Sequence, residues 1–284
     1  MDLKDRLKDR ILDHKLVHSP LKEKTIDTVR RLEQQVAAYP TLSPLLQFFL
    51  KIADNNYDAV RILVVQSYKF ASSAMVICRS TAELIFSTCL ILSNVEQYLP
   101  LYLKSGWREQ YEAFQRYRDD EFLKNEVEWL TNYKMYLDVH ADTIGITLDE
   151  KRDPTKIKYF PTPTQILSPR YHYVKDLDKH TLRFLQIFND EYYSGLLSKL
   201  SHYSESGISI QVSALFSSYP KIQQELIISQ PLAISMMILL VLLSEISLFF
   251  GFDDRPKLKE LWTYLALTIP LHQQLYDAKY RVAL

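Results

Sequence analysis

The sequence predicts an all-α fold, a large and mainly antiparallel helical bundle of about eight to ten helices. Three observations carry this expectation. Glycine is scarce, with 5 in 284 residues, where average usage would give roughly 20. Tight hairpins and cofactor loops need glycine for positive φ, so a chain this poor in it favours helices. Second, the stretch Tyr57 to Ser93 contains neither Pro nor Gly. Third, charged and aromatic residues alternate with helical spacing at Trp107, Tyr111, Phe114 and Tyr117.

The elements come in order along the chain. Residues 2–17 and 21–38 read as two amphipathic helices, with Ser19-Pro20 between them and Pro20 opening the second. Pro40 and Pro44 bracket a break, and a helix from about Leu45 to Asp54 ends at the turn signal Asp54-Asn55-Asn56. From Phe70 to Ser93 the only charges are Arg79 and Glu83. Such a helix, apolar on all sides, is expected at the centre of the bundle. Pro100 should break or kink the chain after this helix. Trp107 to about His140 should pack one face and solvate the other. Residues 142–174 hold Gly145 and four prolines and read as a long irregular loop, functional or mobile, with "GITLDEKRD" and "KIKYF" as a short hairpin. Helices resume at about Lys175 to Tyr203, Ile210–Ile228 and Pro231–Phe250. A turn at Gly251 precedes a last helix from Pro256 to Tyr280. The whole chain, 1–284, is read as one domain. Residues 1–55 form N-terminal helices, 56–205 the core and 206–284 the C-terminal helices.

Composition bounds the function. Net charge is zero, with 34 basic and 34 acidic residues. A broad basic footprint for nucleic acid is not expected. Neither a dinucleotide nor a P-loop glycine motif occurs, nor G-x-S-x-G, Glu-x-x-His or a zinc-spaced cysteine pair. The expectation is therefore no cofactor and no metal. Cys78 and Cys89 lie eleven residues apart on one helix, roughly 16 Å at helical rise. They read as buried thiols of a cytoplasmic protein. "MDLKDRLKDR" lacks the apolar core of a signal peptide. Leu232–Phe252 is long enough to span a bilayer. Because Glu245 lies inside it, the reading is a buried core helix, with no membrane partner. "RYHYVKDLDKHTLR", 170–183, could stack on and pair with nucleic acid, but reads as a solvated helix entry.

The chemistry-bearing candidates are Arg79 and Glu83, i,i+4 on one helix face. Arg precedes Glu, which is the weaker order for the pair and the helix dipole. Two charges buried together in that order need a third group. The stretch "NDEYYSGLLSKLSHYSESG", 189–207, offers one. On it Asp190, Ser194, Ser198 and His202 form a polar side, and Phe188, Tyr192 and Leu196 an apolar stripe. A histidine on that side is expected to be within reach of physiological titration.

The pattern Arg-x-x-x-Glu followed by Tyr-x-x-x-x-Leu-Ser-x-x-x-His falls here on Arg79, Glu83, Tyr192, Leu197, Ser198 and His202. Over residues 56–205 it resembles a widespread uncharacterised family of bacterial all-helical proteins. That family is distantly similar to HEPN-type helical domains, many of them ribonucleases of toxin and phage-defence systems. The HEPN signature itself, Arg and then His after four to six residues, occurs at none of the seven histidines.

Two functions are weighed. One is an interaction or regulatory protein, such as a defence or toxin–antitoxin component working through protein partners or self-association. The C-terminal "MMILLVLL" is then a candidate dimer face. The other is a metal-independent ribonuclease or phosphate-ligand enzyme. In it His202 is general acid or base, Arg79 holds phosphate, Glu83 orients Arg79, and Ser198 or Tyr193 donates a hydrogen bond. A sealed cluster favours the first and an open, positive cleft the second.

Overall fold

The computed structural model describes residues 14–198, 221–268 and 270–284. Among them the protein is all-α and mainly antiparallel, without a strand. Five long helices come first: α1 His14–Gln35, α2 Leu42–Gln66, α3 Ala71–Ser93, α4 Val95–Asp119 and α5 Val127–Thr143. Three short helices come next, α6 Leu148–Arg152, α7 Pro163–Leu167 and α8 Tyr173–Asp176. Helix α9, Lys179–Ile187, continues as a π-helix over Phe188–Leu197. Then come α10 Lys221–Phe250, α11 Arg255–Thr268 and α12 Pro270–Leu275, the last continuing through a π-helical turn, Tyr276–Tyr280. The count exceeds the eight to ten expected because the 142–174 segment is structured. Thr147 and Thr162 each cap a short helix with a reciprocal Glu150 or Gln165 bond. The hairpin expected there is absent, since Leu148–Arg152 is helical.

Several expected breaks are not breaks. Helix α1 runs through Pro20, because Val17, Leu21 and Leu32 form one buried stripe across it. Helix α2 runs through Asp54-Asn55-Asn56, where Asp54 and Asn56 bond to neighbouring helices instead of capping backbone. Asp54 and Asp58 hold Lys22 of α1 at 2.5 and 2.7 Å. Asn56 donates to Thr81 of α3 at 2.8 Å. Pro100 lies inside α4, and the true break is at Asn94, whose side chain caps Gln97 N–H. Conversely, the unbroken Tyr57–Ser93 helix is interrupted by a 3₁₀ turn at Tyr68–Phe70, and the 107–140 stretch is broken between α4 and α5. Helix α10 is continuous through Pro231. The expected helix at Ile210–Ile228 falls mostly outside the described residues, as do residues 2–13. The last helix ends one stretch at Thr268, with residue 269 outside the described set.

Helix α10 is the hub. It packs against α1, α2, α3 and α11. It is apolar enough to cross a bilayer, yet 89% of its most apolar window is buried inside the protein. Met236 to Leu243 are fully buried by the chain's own helices, so "MMILLVLL" offers no face to a second copy. Gly251, at φ +68°, turns the chain out of α10.

The one charge on α10's buried length is Glu245, 6% exposed. Lys279 of the α12 continuation pairs with it at 2.7 Å and also donates to Thr181 of α9 at 2.5 Å. Tyr280 donates to its other oxygen at 2.5 Å. Burial opposes the charge on Lys279, but Glu245 beside it holds the pKa above that of an ordinary lysine. Burial pushes the Tyr280 phenol far up, and Glu245 pushes it further. Thus α9, α10 and the chain's end are tied at one buried point. A second tie joins Lys24 of α1 to Asp254 after α10, with Ser247 also donating to Asp254 at 3.1 Å. Cys78 and Cys89 are free and buried, and burial pushes the Cys78 thiol up to about 12.

Glu245→Gln should cost about 3–5 kcal/mol in urea unfolding, because Lys279 loses its buried partner. The pair replacement Glu245→Gln with Lys279→Met should recover most of that loss. His272 is fully buried and stacked on Tyr192 at 5.7 Å, and burial pushes its pKa down to about 4. The unfolded chain takes up a proton near pH 6.5 that the folded chain refuses. Stability should therefore fall as pH drops from 6.5 toward 4, by up to about 3 kcal/mol from this group. In His272→Phe, the slope of stability against pH should flatten over that window.

Candidate functional site

Arg79 and Glu83 are not buried inside the bundle. Up to Ser87, helix α3 gives one face to the core, through Cys78, Ala82, Ile85 and Phe86, and from Thr88 to Ile91 it is buried on all sides. Its other face carries Arg79 and Glu83, both only partly covered. The expected all-round burial holds only over Thr88–Ile91; before it, Ser80, Glu83 and Ser87 interrupt the apolar surface at helical spacing. They line a cavity of about 680 Å³. The pair is therefore open to solvent and does not need the burial-driven third partner that the sequence suggested.

Four walls form the cavity. Helix α3 supplies Arg79, Ser80, Glu83 and Ser87. Helix α4 supplies Tyr102, Ser105, Gly106 and Glu109. A strap, Phe160–Thr164, closes the top, and the π-helix brings Tyr193, Ser194 and Ser198. The strap is held down firmly. Phe160 N–H donates to Ser105 at 2.8 Å, and its ring meets Tyr102 edge-on at 5.0 Å. Arg108 donates to the Ile157 carbonyl at 2.6 Å and lies 4.0 Å over the Tyr159 ring. Tyr159 donates to Glu112 at 2.6 Å.

The π-helix decides which residues face the cavity. Its i→i−5 bonding, as in Ser198 N–H to the Tyr193 carbonyl, widens the turn. The buried stripe becomes Phe188, Tyr192 and Leu197. Leu196, expected in that stripe from an ordinary helical period, is displaced from it. Tyr193, Ser194 and Ser198 turn to the cavity instead. Gly195 permits this, because a Cβ there would collide with the Asp190 carbonyl oxygen. Ser194 donates to Asn189 at 3.0 Å, five residues back.

Tyr193 joins the two helices. Its hydroxyl donates to Glu83 at 2.6 Å, and the Arg79 guanidinium lies 5.5 Å from the centre of its ring. Burial and then the Glu83 carboxylate push the phenol up to about 12, partly offset by Arg79. At neutral pH Tyr193 is a hydrogen-bond donor and not a base.

Of the five residues chosen from sequence, Arg79, Glu83, Tyr193 and Ser198 meet at this one cavity. His202 lies outside the described residues. Sequence reasoning missed the α4 wall and the strap, which lie far from the motif along the chain. Their signal was the aromatic and hydroxyl content of "FPTPT" beside an interior helix glycine. Among the described residues no cluster of His, Cys, Asp and Glu could hold a metal ion. In comparisons with known proteins, no family model, no curated protein and no solved structure matches this chain.

Gly195→Ala should shift the π-helix and cost roughly 1–3 kcal/mol of stability, as overpacking does. Tyr193→Phe should leave thermal unfolding nearly unchanged, since its hydroxyl bonds an exposed carboxylate.

Proposed function

We propose that the cavity between α3, α4, the strap and the π-helix binds a small, uncharged, hydroxyl-rich molecule of nucleoside or disaccharide size. The observation that carries this reading is Gly106. It sits inside α4, where glycine costs about 1 kcal/mol relative to alanine. A Cβ at this position would meet nothing within 4 Å. No packing demand explains the glycine, and it leaves the cavity wall open.

The lining sets the ligand's chemistry. Ser and Thr hydroxyls both donate and accept, which suits a ligand of mixed polarity. Glu83 and Glu109 can each accept from ligand hydroxyls, and Tyr102, Phe160 and Tyr193 offer ring surface. Arg79 is the single cation against these two carboxylates among the described lining residues. That balance is poor for a polyanion such as RNA. The volume falls within the roughly 300–1,000 Å³ of ordinary small-molecule sites. This reading rests on the cavity alone and not on the resemblance to the bacterial helical family. The ribonuclease reading, with His202 as general acid or base and Arg79 on phosphate, is the competitor.

Calorimetry with a neutral nucleoside and a neutral disaccharide, against the matching nucleoside monophosphate and a short RNA, separates the two. At least one neutral ligand should bind in the micromolar to millimolar range and raise the melting temperature. Gly106→Leu should fold and abolish that binding by filling the cavity. Binding of phosphate-bearing ligands only, lost in Arg79→Ala, would overturn the proposal in favour of the competitor.

A further inference from the structure

Helices α4 and α5 form an arm with its own small core of Trp107, Phe114, Leu137, Ala141, Ile146 and Ile157. The joint to α4 is a bond from Trp107 Nε1 to the Leu137 carbonyl at 2.9 Å. Helix α5 has 17 residues, of which only Leu137 and Ala141 are buried. Its opposite side carries large apolar side chains as well, grouped around Asn132 with Glu128 at the edge. Trp129, Met135, Tyr136 and Val139 are 44%, 60%, 52% and 66% exposed, at spacings that place them on one helical face. Part of this face is already ordered. The Trp129 and Tyr133 rings stack at 5.5 Å and 12°, and Tyr133 and Tyr136 at 6.4 Å and 8°. Rigid Trp and Tyr side chains are the ones that dominate protein interfaces.

Charge narrows the partner. Residues 117–143 hold three basic and seven acidic side chains, net −4, on a chain whose total is zero. Asp119, Asp138 and Asp142 are ion-paired to Arg118, Lys134 and Lys151, so the acidic excess sits at Asp120, Glu121, Glu126 and Glu128, around the start of α5. Anionic lipid and nucleic acid would be repelled by this acidic end of the face. A second copy would bring the same negative charge against it. From the aromatic stripe and the acidic end together, we propose that the outer face of α5 docks a basic amphipathic helix of a partner protein. The partner's apolar side covers Trp129, Met135, Tyr136 and Val139, and its lysines or arginines meet the acidic end.

The probe is a synthetic amphipathic helical peptide of leucine and lysine, with a leucine–glutamate peptide of equal length as control. Trp129 reports the contact, because Trp107 and Trp262 are buried at 1% and 0% exposure. The basic peptide should bind saturably at one per chain, with a blue shift of Trp129 emission, and the acidic peptide should not bind. Met135→Lys with Val139→Lys should weaken binding about tenfold or more. The same two lysines at the exposed Ile62 and Val65 of α2 should leave it unchanged. Absence of saturable binding, equal weakening by both pairs of lysines, or equal binding of the acidic peptide would each overturn the proposal. So would light scattering that finds a dimer dispersed by Met135→Lys with Val139→Lys, since a second copy would then cover the face.

Discussion

The main core of the described residues is arranged around a thirty-residue helix that carries one charge along its buried length. An apolar rod of that kind must be wrapped on every side. α1, α2, α3 and α11 do so directly. Glu245 then sets a stricter condition, because a buried carboxylate without partners would cost several kcal/mol. The chain meets it by bringing Lys279 and Tyr280 back from its far end. Lys279 in turn reaches Thr181, whose hydroxyl donates to Asp178 at the start of α9. The buried network therefore fixes where α9 begins. It thereby fixes where the π-helix after α9 can present Tyr193.

Helix α3 is the counterexample that makes the candidate site visible. It is also apolar enough in composition to cross a bilayer, but only 56% of its most apolar window is buried. Its uncovered face is a cavity wall and not an omission of packing. Three departures from economical packing converge there. Gly106 weakens α4 without a steric reason, the π-helix departs from ordinary hydrogen bonding, and Arg79 and Glu83 interrupt an apolar helix. The glycine and the π-helix each have a cost in stability. Such costs gather at sites that do something other than hold the fold together.

Much of this was legible in the residues. The all-helical class came from glycine scarcity and helical spacing, and the burial of α10 from its composition together with Glu245. Arg79, Glu83, Tyr193 and Ser198 were chosen by chain pattern, and they meet. What the pattern could not give was register and exposure. Asp54-Asn55-Asn56 looked like a turn because its lateral partners, Lys22 and Thr81, are distant in sequence. Leu196 was placed in the core by a period that the π-helix does not obey. Arg79 and Glu83 read as buried in the sequence because one window cannot tell a helix covered on all sides from one facing a cavity.

Two acidic residues on two apolar helices thus have different roles. Glu245 ties the fold together from inside, and Glu83 lines a cavity. The direct measurement is equilibrium urea unfolding of Glu83→Gln beside Glu245→Gln, with a double-mutant cycle between Glu83 and Tyr193. Glu83→Gln should change stability by about 0.5 kcal/mol or less, with little coupling to Tyr193→Phe, as for exposed polar contacts. Glu245→Gln should cost several times more. A loss at Glu83 as large as that at Glu245, with strong coupling to Tyr193, would contradict this division of roles. The Arg79–Glu83–Tyr193 cluster would then be a lock on helix register, and the cavity a by-product of it.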